Sequence, residues 1–143
     1  MEKVNVRVFS RQTAMDGQQS DMETLVRGEH NFRHGKHYIS YDDKMVDVDG
    51  VTRTLVKFGP DELFLQRKGI VNQEQRFRPG QESHALYQTA LGTMQLDALT
   101  RSLSVECEGA KGKAVLVYEL SINGDRVGVM NCIWSLKPWM AEI

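Results

Sequence analysis

The stretch KAVLVYELSINGDRVGVMNCIWSL, residues 113–136, decides the fold of this chain. Two alternating runs, 113–122 and 125–136, flank Asn123-Gly124. Asn-Gly is the strongest short-range hairpin signal, because a two-residue type I′ loop needs positive φ at both central positions. A tight reversal there sets Ile122 opposite Asp125, Leu120 opposite Val127, Tyr118 opposite Val129, Leu116 opposite Asn131 and Ala114 opposite Ile133. Side chains alternate across a strand, so one face carries Ala114, Leu116, Tyr118, Leu120, Val127, Val129, Asn131 and Ile133. That face is nearly all apolar and must be covered, at about 25 cal/mol per Å² of apolar area removed from water. The other face carries Glu119, Ser121, Arg126 and Gly128 near the loop. Further from the loop it carries Val115, Val117, Met130, Cys132 and Trp134.

The preceding hairpin agrees. With Gly109-Ala110-Lys111-Gly112 as a four-residue loop, Glu108 faces Lys113 as an opposite-charge cross-strand pair. Cys107, Val105 and Leu103 then face Ala114, Leu116 and Tyr118 on the covered side. Two separate turn signals give one inward face.

Further strand-like segments are 4–11, 23–32, 37–41, 51–58, 63–67, 70–77, 85–89, 94–100 and 103–108, some of which are expected to merge. Turn signals separate them: Asp16-Gly17, His34-Gly35, Asp49-Gly50, Gly59-Pro60-Asp61, Lys68-Gly69 and Pro79-Gly80. No stretch of ten or more residues keeps a helical period. Short connections between sequential strands mean an antiparallel meander, and closing it removes unpaired edges. The reading is one all-β domain over residues 1–143, an up-and-down barrel of about eight to ten strands. One segment changes phase: Met94, Leu96 and Ala98 are apolar on even positions, but Leu99, Leu103, Val105 and Cys107 on odd ones. A bulge near 99–101 accounts for this better than a straight strand with Gln95 and Asp97 inside.

At 143 residues the chain is long enough for a sizeable core. Eighteen Lys and Arg against nineteen Asp and Glu give a formal net charge of −1. That balance suggests neither a nucleic-acid nor a membrane field. No apolar run reaches transmembrane length, and the first twenty residues lack the apolar segment of a secretory signal. The expected address is the cytoplasm. Two cysteines on opposite faces of the predicted hairpin are expected to stay reduced.

The order and spacing of several motifs are those of a known family. They are Tyr38-Ile39-Ser40-Tyr41 before Asp42-Asp43, Leu65-Gln66-Arg67-Lys68-Gly69, Arg76-Phe77 ahead of Gly80, Tyr87, Gly92 through Leu96 to Thr100, and the Asn123-Gly124 hairpin. Together, over residues 36–137, they resemble the YwiB-like family, a calycin-like β-barrel domain of unknown function from Gram-positive bacteria. The resemblance implies a closed or nearly closed antiparallel barrel and no particular activity. It departs from lipocalins proper: residues 4–11 hold no Trp, and both tryptophans lie near the C-terminus. Ligand binding by analogy with lipocalins is an analogy of fold.

Candidate chemistry is sparse. His30, His34 and His37 fall within eight residues and could supply three imidazoles to Zn²⁺ or Ni²⁺, but a solvated hairpin end explains them as well; no metal or other cofactor is expected. Asp47-Val48-Asp49-Gly50 fails as a calcium loop, because Met45 and Val56 stand where acids are needed. Arg67, Lys68, Arg76 and Arg78 around Phe77 form a local basic stretch, with Glu74 and Glu82 as neutralising neighbours; no nucleic-acid partner is expected. No nucleophile motif is present, and Ser83 and His84, adjacent in an extended segment, point to opposite faces. A composite active site inside the barrel would draw on Arg67, Tyr118 or Asn131; the expectation is a non-catalytic protein.

Two binding surfaces are expected. Inside the barrel, Tyr118 and Asn131 orient a small apolar or amphipathic ligand against walls that include Leu116 and Leu120. Arg67 and Tyr87 join them through the family pattern. Outside, Val115, Val117, Met130, Cys132 and Trp134 leave an apolar patch that calls for cover. Either the tail of Trp139, Met140 and Ile143 folds back over it, or a second copy of the chain does, making Val115, Val117, Met130, Trp134 and Trp139 a homodimer interface.

Overall fold

Asn123 and Gly124 both have positive φ, 50° and 87°, and the chain reverses there as the dipeptide requires. The Asn123 side chain also accepts a bond from the Gln95 backbone N–H at 2.8 Å, and its own N–H reaches the Gln95 carbonyl. The computed structural model describes residues 2–43 and 50–139. Ten antiparallel strands follow in chain order: β1 (Glu2–Ala14), β2 (Gln19–Arg33), β3 (Lys36–Asp43), β4 (Thr52–Phe58), β5 (Leu63–Gly69), β6 (Gln73–Phe77), β7 (Glu82–Thr89), β8 (Gly92–Glu108), β9 (Lys111–Ile122) and β10 (Asp125–Pro138). They form one sheet in the order β6-β5-β4-β3-β2-β1-β10-β9-β8-β7. The meander therefore closes through its first and last strands, and its seam lies between β6 and β7. Reciprocal backbone bonds between Asn72 and Gln88, of 2.9 and 3.0 Å, tack the seam together. The loop before β7 adds two more, Gly80 N–H to the Thr100 carbonyl and Thr100 N–H to the Gln81 carbonyl. The expected all-β, nearly closed antiparallel barrel is what forms.

The two C-terminal hairpins depart from expectation in instructive ways. Between β8 and β9 the loop is Gly109-Ala110 alone, so Glu108 faces Lys111 and Glu106 faces Lys113. This is a slip of two residues, which preserves every face. Between β9 and β10 the first pairs, Ile122–Asp125 and Ser121–Arg126, are as expected, and then Val127 is passed over. Gly128, Met130, Cys132 and Trp134 therefore lie opposite Leu120, Tyr118, Leu116 and Ala114. A slip of one residue exchanges the faces of β10 beyond the bulge. Gly128 permits it: φ is 148°, and a Cβ there would stand 2.0 Å from the Thr13 carbonyl oxygen. The phase change in β8 is also a bulge, at Arg101, where expected.

Pairing registers stack the inward side chains in rows around the barrel. On β3–β6 the row nearest the chain termini is His37, Phe58, Leu63 and Phe77. The next is Ile39, Val56, Leu65 and Gln75, and the third is Tyr41, Thr54, Arg67 and Gln73. The opposite wall changes in the same direction. Val6 and Leu136 give way to Val8, Trp134, Ala114 and Val105, then to Ser10, Cys132, Leu116 and Leu103, then to Gln12, Met130, Tyr118 and Thr100. One end of the barrel is dry and fully packed, with Phe58 and Leu63 at 0% exposure. The other is polar.

Candidate functional site

The polar end is centred on Arg67. Alternation along β5 puts Leu63, Leu65 and Arg67 on the inner face, and register holds Arg67 between Thr54 of β4 and Gln73 of β6. Its Nε is buried and has no hydrogen-bond partner among the described residues, and neither do the buried hydroxyls of Thr54 and Thr100. The Arg67 charge favours the ionised forms of Tyr41, Asp43, Tyr118 and Cys132. Burial dominates at all four. It pushes the Tyr41 phenol up to about 12 and the Cys132 thiol up to about 11, each against the smaller pull of Arg67. It holds the Tyr118 phenol well above its ordinary value and raises the half-buried Asp43 carboxyl.

Hydrogen bonds tie this polar cluster to the walls. Trp134 Nε1–H donates to Tyr41 Oη at 3.3 Å across the barrel. Gln73 Nε2 donates to Gln75 Oε1 at 3.0 Å, and Gln75 Nε2 reaches Ser83 Oγ at 3.4 Å over the β6–β7 seam. The Tyr118 ring leans on Phe77, with centroids 4.8 Å apart. Tyr118, Cys132, Met130, Arg67 and Tyr87 are each only half-buried, so solvent reaches this part of the barrel.

Of the residues expected inside, Leu116, Leu120, Tyr118, Arg67 and Tyr87 lie on the inner face. Asn131 does not. The β10 bulge turns it outward, opposite Val117 and Arg11. The same bulge removes Met130, Cys132 and Trp134 from the expected outer patch. Trp134 is 4% exposed and belongs to the core. Val115 and Val117 do face outward, where Phe9, Ile133 and Val129 replace the missing members. Trp139 does not cover that patch. It lies on the other flank of β10, between the Lys3 ammonium and the Arg27 guanidinium, 5.0 and 4.5 Å from its ring. Met140 and Ile143 lie outside the described residues, as do Asp47 and Asp49 of the rejected calcium loop.

The histidine cluster is divided. His30 Nε2 and His37 Nδ1 are 2.9 Å apart, buried at the dry end, with His37 stacked on Phe58. His34 occupies the exposed β2–β3 turn with φ 53°. Among the described residues no three metal-ligating side chains converge. The basic stretch is also split by alternation: Arg67 and Phe77 point in, while Arg76 stacks outside on Phe64, 4.8 Å from its centroid. Ser83 and His84 take opposite faces as expected, and His84 Nδ1 pairs with Asp97 Oδ1 at 2.5 Å on the outside. Both cysteines are free. Outside the barrel, Asn5, Arg7, Leu25, Arg27, Ser135 and Lys137 line a groove of about 520 Å³ across β10, β1 and β2.

A family model described as a domain of unknown function, DUF1934, matches residues 6–132, from β1 to β10. The chain belongs to the DUF1934 family. It is 28% identical over 116 residues to the uncharacterized beta-barrel protein YwiB of Bacillus subtilis (strain 168), covering 81% of this chain and 80% of that protein. The crystal structure of the YwiB protein from Bacillus subtilis superposes with a TM-score of 0.79 at 25% identity, over 94% of this chain and 91% of that one. The expected YwiB-like resemblance thus holds and extends back through β1 and β2. The description of DUF1934 assigns the domain no function.

Sequence reasoning overlooked Tyr41, Thr54, Gln73, Gln75 and Trp134 as partners in the DUF1934 barrel's polar end. Part of the signal was present. Leu63, Leu65 and Arg67 share a parity, and so do Gln73, Gln75 and Phe77, so each strand carries polar groups on the face that also holds its core residues. No helix among the described residues is long and apolar enough to cross a membrane.

Proposed function

We propose that this protein is a non-catalytic cytoplasmic barrel that takes up a small amphipathic ligand at its polar end. The observation that carries this reading is the change in character of the interior along the barrel axis. The row nearest the termini on β3–β6 is packed and almost wholly apolar; the rows around Arg67 and Tyr118 bury Tyr41, Thr54, Gln73 and Thr100 and leave Arg67, Tyr118 and Met130 half-buried. A filled structural core has no need of the second kind, because buried polar groups without partners cost stability. In a binding barrel the apolar wall of Leu65, Leu103 and Leu116 receives the ligand's body, and hydroxyls and amides near the mouth fix its orientation. Free cysteines fit a reducing compartment.

Native mass spectrometry of the protein purified from cells tests this, together with titration of a fluorescent fatty-acid probe. A co-purifying small molecule or saturable probe binding supports the reading. Recovery of the bare chain with no probe binding removes its basis.

A second reading has one favourable observation. Phe9, Ile133 and Val115 form a continuous apolar cross-strand row on the outer face of β1, β10 and β9. Self-association through that row predicts a concentration-dependent dimer in sedimentation that Ile133→Lys abolishes; a monomer at all concentrations rejects it.

A further inference from the structure

Resting on the binding reading above, we infer that the ligand carries an oxyanion, a carboxylate or a phosphate, and that Arg67 is its anchor inside the barrel. A guanidinium is always charged, offers five N–H donors and accepts nothing. Taking such a charge out of water is expensive unless it is paired and hydrogen-bonded. Arg67 points inward from the third row, makes no ion pair with any described residue, and keeps a buried Nε–H without an acceptor. Among the described residues no acceptor compensates its Nε–H. Tyr41, Tyr118 and Cys132 are neutral at physiological pH, since phenols and thiols ordinarily ionise above it and burial raises all three further. Gln73 donates to Gln75 and Gln75 donates on to Ser83, and neither bond involves Arg67. Asp43, on the inner face of β3, forms no ion pair with Arg67, and burial raises its carboxyl against the pull of that charge.

What this leaves is a cationic fork beside the Tyr41 phenol and the Thr54 hydroxyl, in the half-buried part of the barrel interior. A planar fork of donors is matched by carboxylate or phosphate oxygens, which it can bind through two parallel hydrogen bonds. The ligand then lies with its oxyanion at Arg67 and its apolar part along Leu65, Leu116 and Leu103. A neutral amphiphile of equal length gains the second contact but not the first.

The test is calorimetric titration of the full chain with decanoate and decyl phosphate, each below its micellar concentration, and with decanol below its solubility limit. The expected result is that at least one of the two anions binds about tenfold or more tighter than decanol, the worth of a hydrogen bond to a charge. Which anion binds tighter names the headgroup. Arg67→Gln should bring the anions down to the level of decanol while decanol binding is unchanged. Arg67→Lys, which keeps the charge without the fork, should fall between and serves if the first variant does not fold. Equal binding of all three by the natural chain overturns the anchor and leaves the binding reading standing. An anion preference that survives in Arg67→Gln overturns it too. If none of the three binds, the binding reading itself fails.

Discussion

The two ends of the barrel interior are built by the same strands and differ by only a few residues of register, yet they obey different physics. At the dry end Phe58 stacks on His37, His37 bonds to His30 and Leu63 pairs with Phe58, all of them buried. At the polar end Tyr41, Thr54, Arg67 and Gln73 occupy the equivalent positions two rows on, and several polar atoms lack partners among the described residues. The difference separates the rows that close the barrel from the rows that leave polar atoms unpaired. A row closed by aliphatic and aromatic side chains holds the barrel shut. A row of hydroxyls, amides and one guanidinium leaves polar atoms without partners among the described residues, which the proposed ligand would supply.

That division makes predictions of decreasing size. Phe58→Ala, at 0% exposure in the dry row, should cost about 3–5 kcal/mol in urea unfolding, whereas Tyr118→Phe at the other end should cost under about 1.5 kcal/mol. Equal costs would mean that the polar end is ordinary core. Gly128→Ala should cost about 1–3 kcal/mol from its backbone conformation alone. The added methyl also meets the Thr13 carbonyl and loosens the β1–β10 closure, so amide exchange should rise along both strands.

The smallest effect concerns pH. Burial lowers the pKa of both His30 and His37, with the neighbouring imidazole adding to the effect at His30 and Glu2 opposing it there. The folded state therefore binds fewer protons than the unfolded chain as pH falls through the ordinary histidine value of about 6.5. Stability should be level above that value and decline below it. His37→Asn should flatten the decline in urea midpoints measured from pH 7.5 to 5. A midpoint that rises on acidification would contradict the burial of the pair.

Much of this architecture was legible in the sequence. The Asn123-Gly124 turn, the bulge that changes phase near Arg101 and the inward set Leu103, Val105, Leu116 and Leu120 all follow from periodicity and turn chemistry. The error in the last strand had a physical cause with a visible trace. Gly128 stands alone inside a strand pattern, which is how bulges announce themselves. Once Val127 is passed over, Trp134 and Cys132 turn inward and Asn131 turns out. The hairpin before it was misread by two residues without consequence, because alternation has a period of two. The polar end was harder to see. Arg67 and Gln73 belong to different strands, and the row they share depends on loop lengths that pairing settles only in three dimensions.

The most direct test of a barrel with one dry and one receptive end is an amide and methyl NMR titration of the full chain with decanoate. Saturable shifts should concentrate on Arg67, Gln73, Tyr87, Tyr118 and Met130 and leave His37, Phe58 and Leu63 still. Shifts confined to the outer groove at Asn5, Leu25 and Ser135, or none at any residue, would contradict it.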